Sequence, residues 1–260
     1  MLALVELAKD PYERKARLAP GLLTILPLLV PLVCVYGARH PLLTALVGLL
    51  AGCGAMYTLA SIARVRGKQL EEQLVTGWGG MPTTMAPRHR DQTLDSISKR
   101  RYHEAITAKL GVTMPTLDEE TANPAKADDI YIGATKRLRE LTRNDKGLLL
   151  KENVAYGFHR NMLAMKPIGI ATCLLGMLYG LVLADALQLD PLDVKLINLT
   201  HPGLAAAMTL VISVALLMAW LFYFNADAVR RVGFAYAERL FERLPSLTTI
   251  TKKKKAAETT

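Results

Sequence analysis

Four uninterrupted apolar runs limit what this chain can fold into. They read "APGLLTILPLLVPLVCVYGA" from Ala19, "PLLTALVGLLAGCGAMYTLASIA" from Pro41, "PIGIATCLLGMLYGLVLADAL" from Pro167 and "PGLAAAMTLVISVALLMAWLFYF" from Pro202. Crossing a hydrocarbon core of about 30 Å takes about 20 helical residues, and none of the four runs carries a charge in its middle. A core helix of a soluble domain is apolar along one stripe, not all round. The mean hydropathy of +0.22 beside 21% charged residues agrees, because such values require apolar and charged residues to sit in separate blocks. The expected fold is therefore an all-α integral membrane protein, with four transmembrane helices in two hairpins and a cytosolic helical domain between them.

The expected order is a cytosolic interfacial arm (1–18), transmembrane hairpin 1 (19–63), a cytosolic helical domain (64–166), transmembrane hairpin 2 (167–224), a cytosolic amphipathic helix (225–247) and a disordered basic tail (248–260). Orientation follows from Lys and Arg, which concentrate on the cytoplasmic side of membrane spans. Lys9, Arg14, Lys15 and Arg17 precede the first span, and Arg230, Arg231, Arg239, Arg243 and Lys252 to Lys255 follow the last. The two outer connections hold only Arg39 and only Lys195. Both termini and the central domain are thus placed in the cytoplasm, at a bacterial inner membrane. The net charge of +9 is accounted for by this asymmetry facing an acidic lipid surface, so nucleic acid is not needed as a partner. Cys34, Cys53 and Cys173 all fall inside spans at spacings that match no metal motif.

Small residues at four-residue spacing let helices approach closely in lipid. Gly48 and Gly52 in the second span, and Thr172, Gly176, Gly180 and Ala184 in the third, predict that these two spans pack on each other. Pro27 and Pro31 predict a bend or a locally unwound turn in the first span. In the central segment, "DSISKRRYHEAITAKLGV" reads as a helix capped at Asp95 or Ser96 and closed by Gly111, followed by a helix from about Ala125 to Thr142 with Ile130, Ala134, Leu138 and Leu141 in register. After the last span, Val229, Val232, Tyr236, Leu240 and Leu244 form the apolar side of an amphipathic helix.

The candidate chemistry lies where the polar stretch "NVAYGFHRNMLAMK" runs into the third span. As a helix it places Asn153, Tyr156 and Arg160 on one face and His159 on the next. Arg160 with Asn161 and Tyr156 could bind an anionic group arriving from the cytoplasm and transmit its presence to the span, or Arg160 and Lys166 could anchor at the headgroups with Tyr156 and Phe158 at the interface. Arg137 and Arg139 in "TKRLRELTR", and Lys99, Arg100, Arg101 and His103 in "SKRRYHEA", are further sites for a phosphate-rich ligand. Trp78 in "GWGGMPTT" offers a stacking surface. No catalytic residue, metal site or cofactor is assigned: His-Glu-x-x-His, paired Cys, Gly-x-Ser-x-Gly and P-loop patterns are all missing.

The segments "WGGMPTTMAPRHRDQTLD", "MPTLDEETANPAKADDIYIGATKRLRELTR" and "ENVAYGFHRNMLAMKPIG" resemble an uncharacterised family of bacterial membrane proteins over about residues 76–170. That resemblance implies two transmembrane hairpins around a cytosolic helical insert, and no activity. A looser similarity of architecture is to membrane effectors of prokaryotic antiviral systems, in which a cytosolic domain senses a signal and the spans breach the membrane.

The expected function is that of a non-enzymatic, homo-oligomeric inner-membrane protein whose cytosolic domain senses an anionic ligand or a protein partner and controls the spans, as a pore-forming effector would. The alternatives are a scaffold that recruits a cytosolic enzyme and a lipid-modifying enzyme built on Tyr156, His159 and Arg160.

Overall fold

A computed structural model describes residues 10–36 and 56–247 of the chain. The arm before Asp10, Arg39, the Gly48 and Gly52 stripe, Cys53 and the lysine tail all lie outside the described residues. Helices make up most of the rest. A π-helical turn, Glu13–Leu18, leads into α1 (Ala19–Tyr36). There follow α2 (Met56–Trp78), the short α3 (Pro82–Met85), α4 (Ser96–Leu110), α5 (Leu117–Ala122), α6 (Pro124–Leu141) and α7 (Leu148–Leu183). A two-stranded antiparallel hairpin, β1 (Leu187–Leu189) and β2 (Leu192–Val194), and a 3₁₀ turn, Leu196–Thr200, precede α8 (Gly203–Met218). That helix runs into a second π turn, Ala219–Tyr223, and α9 (Ala226–Phe241) completes the order.

Among the described residues, three helices are long and apolar enough to cross a membrane: Glu13–Val35, Leu148–Leu183 and Gly203–Tyr223. The second of the four expected spans lies outside the described residues except for 56–63, which form the start of α2. The helix that holds the third apolar run starts at Leu148, ahead of Pro167, and passes through the proline, which forfeits one backbone hydrogen bond without breaking the helix. Pro27 and Pro31 likewise sit inside an unbroken α1.

The chain divides into two compact units. The first comprises Met1–Glu71 and Gly157–Val229. Here the small-residue stripe of α7 packs on α1 and α8, while the Gly48 and Gly52 stripe expected to meet it lies outside the described residues. A Cβ placed on Gly176 would lie 2.8 Å from the Pro27 Cβ, and one on Gly180 would lie 2.8 Å from Leu210. The Thr172 hydroxyl donates to the Thr24 carbonyl. Trp220, from the second π turn, is fully buried against Gly169.

The second unit comprises Glu72–Tyr156 and Arg230–Thr260. Its helices start and stop where local chemistry directs. Asp95 accepts from the Ser98 N–H at the head of α4, and Gly111 closes that helix in the left-handed conformation at φ 66°. Thr116 and Glu119 form a reciprocal capping box on α5, and Asn123 caps α6 ahead of Pro124.

The core of this unit gathers Tyr102, Ile106 and Leu110 of α4, Tyr131, Ala134 and Leu138 of α6, and Ala237, Leu240 and Phe241 of α9. Tyr102 stacks on Phe241 at 5.6 Å. The buried row of α6 is Ala127, Tyr131, Ala134 and Leu138, whereas Leu141, expected in that row, is exposed.

Candidate functional site

The polar stretch of α7 builds a buried junction within the first unit. Asn161 is fully buried: its amide donates to the Ala16 carbonyl in the π-helical turn, and its oxygen accepts from Arg160 Nε at 3.2 Å. Gly67 of α2 lies directly under that oxygen, and a Cβ there would collide with it. Arg160, also buried, pairs through Nη1 with Glu71 Oε2 at 2.9 Å. Gly157 lets the Tyr12 hydroxyl and Ala16 approach α7; a Cβ in its place would meet that hydroxyl at 2.8 Å. The lead-in to α1, the middle of α2 and α7 thus converge on one amide and one ion pair. Arg160 is the buried member of the pair and Glu71 the half-buried one, so the pair holds geometry more than it adds stability.

Two further polar contacts sit nearby on α7. Lys166 Nζ donates to the carbonyls of Leu221 and Phe224, at 3.3 and 3.2 Å, where the π turn leaves them without helical partners. Its ammonium also suits the negative end of that helix. His159 Nε2 lies 3.4 Å from the Tyr223 hydroxyl, and its ring contacts those of Phe158 and Phe224.

In the second unit the loop Arg88, His89, Arg90 is bound by acidic groups. Arg88 Nε lies 2.8 Å from Asp128, and Arg90 Nη2 donates to both oxygens of that carboxylate at 2.7 Å. The buried Glu120 accepts from the backbone N–H groups of His89 and Arg90, from the Arg90 guanidinium and from the Tyr131 hydroxyl at 2.6 Å. Burial alone would push the Glu120 carboxyl up, but the Tyr131 hydroxyl, the two N–H groups and Arg90 outweigh it and hold it below its ordinary value. The same burial and carboxylate push the Tyr131 phenol upward.

Beside this network, a cleft of about 490 Å³ is lined by His89, Asp91, Ser96, Lys99, Arg100, His103 and Glu104, among others. His89 Nε2 donates to the Pro115 carbonyl and His103 Nε2 to the Pro87 carbonyl, at 3.0 and 2.7 Å. A carbonyl only accepts, so Nε2 carries a proton in both rings, and the neutral form of His103 leaves its Nδ1 as an acceptor. Burial lowers the His103 pKa below its usual value and keeps that ring neutral. The cleft therefore offers imidazole and carboxylate acceptors beside the Arg100 guanidinium, a set suited to a small ligand that both donates and accepts hydrogen bonds. Among the described residues no group of three or more His, Cys, Asp or Glu could hold a metal ion.

The residues singled out by sequence are distributed. His159, Arg160 and Asn161 belong to the first unit, and Asn153, Tyr156, Trp78, Arg137 and Arg139 to the second. Tyr156 is buried with its ring beside Gly233, and Asn153 and Trp78 are half-buried. Arg137 and Arg139 are exposed on α6. Lys99, read as a candidate phosphate ligand, is buried with its ammonium on the Asp91 carbonyl.

Sequence reasoning missed Gly67 and Glu71, the partners of Asn161 and Arg160. A glycine and a glutamate one turn apart, in a helix that continues an apolar run, were the available signal. Compared with known proteins, the chain matches no family model, no curated protein and no solved structure.

Proposed function

We propose that this is an integral protein of the bacterial inner membrane, with both termini and its central helical unit in the cytoplasm. It acts without catalysis, as an oligomer in which a ligand or partner bound by the cytosolic unit controls the packing of the spans. The observation that carries this reading is the Arg160–Glu71 pair with Asn161, buried at the level where α7 changes from polar to apolar. Charge pairs placed this way fix a register and can exchange partners, which is the behaviour a coupling joint requires. The cleft at His89 and His103 is a second site at which a polar ligand could act. In the sharpest form of the proposal the oligomer opens a pore, as an effector of antiviral defence would.

The test is to express the full chain in a bacterial membrane and follow membrane potential and dye entry, before and during phage infection, beside Arg160→Ala and Glu71→Gln. Depolarisation by the parent chain that both variants alter supports a gated pore. A potential held steady by all three, infected or not, refutes the pore. The exposed basic residues Lys136, Arg137 and Arg139 on α6 and Arg143 just beyond it favour a second reading, a scaffold that recruits an acidic cytosolic protein. Its signature is a partner that co-purifies with the parent chain and is lost when those four residues are replaced.

A further inference from the structure

We propose that the segment between α7 and α8 is an interfacial anchor whose apolar face enters the lipid at that end of the spans. The inference rests on the reading that α7 and α8 cross the bilayer. The hairpin register pairs Leu187 with Val194 and Leu189 with Leu192, and places Gln188 opposite Asp193. Because side chains alternate along a strand, the four apolar residues share one face and the polar pair takes the other.

The apolar face has no cover within the described chain: Leu189 is 65% exposed and Leu192 76%, and Leu196 and Ile197 on the following 3₁₀ turn are 67% and 73% exposed. A lone two-stranded hairpin is marginal in water, and an apolar face of this kind marks a contact surface.

The occupant follows from where the segment is tied. Gly203–Tyr223 has 21 residues, a helix of about 31 Å, which matches the hydrocarbon thickness of about 30 Å. Gly203 then lies at the hydrocarbon boundary, and Leu204, 78% exposed, is already among acyl chains.

At the other end α7 stops in a Schellman cap. Asp185 is left-handed at φ 54°, the Ala186 N–H reaches the Leu181 carbonyl, and the Asp185 N–H reaches that of Val182. The hairpin is fixed to this cap by the Lys195 N–H on the Ala186 carbonyl at 2.9 Å, and the 3₁₀ turn by the Asn198 amide on the Asp185 carbonyl at 2.8 Å. Ala186 and Ala206 then pack in one cluster beside the start of α8. The exposed face is thereby held at bilayer level. The segment carries Asp185, Asp190 and Asp193 against the single Lys195, itself paired to Asp193 at 3.3 Å. Attraction to anionic headgroups therefore does not hold it, and its contact is with the apolar interior.

The test uses the full chain reconstituted in zwitterionic phosphatidylcholine vesicles with brominated acyl chains. Leu192→Trp reports on the hairpin and Val211→Trp, exposed midway along α8, reports on the span. Each is read as the difference from the parent chain, which already holds Trp78 and Trp220. The expected result is an indole at position 192 quenched by bromines near the headgroup end of the chains several-fold more than by aqueous iodide, with position 211 quenched by bromines deeper in the chains. Quenching at 211 with iodide access at 192 would place the hairpin in water and overturn the proposal. Quenching at 211 with neither quencher reaching 192 would show protein covering that face, which also overturns it. Loss of lipid quenching at 211 would remove the spanning reading and the anchor together.

Discussion

Asn161 concentrates three constraints in one side chain: its amide holds the Ala16 carbonyl, its oxygen takes the Arg160 Nε, and Gly67 leaves room for both. Asn161→Leu removes the donor while leaving the carbonyl buried, and is expected to lower stability in detergent by about 1–3 kcal/mol. Thermal unfolding of the purified full chain measures this. Arg160→Met removes the guanidinium from the half-buried Glu71 and is expected to cost about 1–3 kcal/mol, part of it regained in the double variant with Glu71→Leu, because two apolar groups can replace a buried pair. An unrecovered double variant would mean that Arg160 owes its effect to neighbours other than Glu71.

The acid limb of stability is a separate residue-level matter. The folded His103 pKa is lowered by burial, so its contribution is whole above the unfolded value of about 6.5 and is lost as pH falls through the folded one. Glu120 is also lowered, and its contribution disappears only below the ordinary glutamate value of about 4.3. Unfolding midpoints measured against pH should therefore fall in two stages, with His103→Gln flattening the earlier one and Glu120→Gln the later.

Elements were legible where local chemistry fixes them and illegible where contacts do. Asp95 and Gly111 mark the ends of α4 because an Asx cap and a left-handed glycine are chain-local devices. The apolar runs announced α1, the latter part of α7 and α8, since lipid imposes length and composition directly. The partner of the α7 stripe could not be read, because small residues show that a helix is approached closely and not by what. Both π turns escaped notice for a related reason: one widened turn leaves no periodic trace in composition, and Lys166 is visible as a cap only once the carbonyls of Leu221 and Phe224 are placed. The hairpin was missed because its strands have three residues each, too few for alternation to register.

A prediction belongs at this scale. Gly176→Leu, which drives a side chain into Pro27 and Ser213, is expected to lower the detergent unfolding midpoint sharply, whereas Leu174→Ala on the exposed side of the same helix should leave it nearly unchanged.

For the whole molecule, the segregation of charge predicts a topology that labelling can check. Gln188→Cys is expected to react with a membrane-impermeant maleimide on intact spheroplasts, while Arg137→Cys should react only after lysis, both exceeding the background set by the native cysteines. Labelling of both before lysis would defeat the cytoplasmic placement of the central unit.

The membrane character was readable from the sequence, whereas the polar junction was only half readable: Arg160 and Asn161 stood out against the apolar run, but their partners come from positions 71 and 16, which nothing local connects. The unbroken course of α7 also bears on how this gene can vary. Its 36 residues form a rod of about 54 Å, and each added residue turns everything beyond it by about 100°. Most single substitutions along the rod leave its phase intact, but an in-frame insertion or deletion of one codon between Asn161 and Thr172 would swing Asn161 and Arg160 away from their partners while the small-residue stripe kept its own. Even seven residues, which restore the phase, would shift the two sets apart by about 10 Å along the axis, so among natural variants the spacing between them is expected to vary less than their identities.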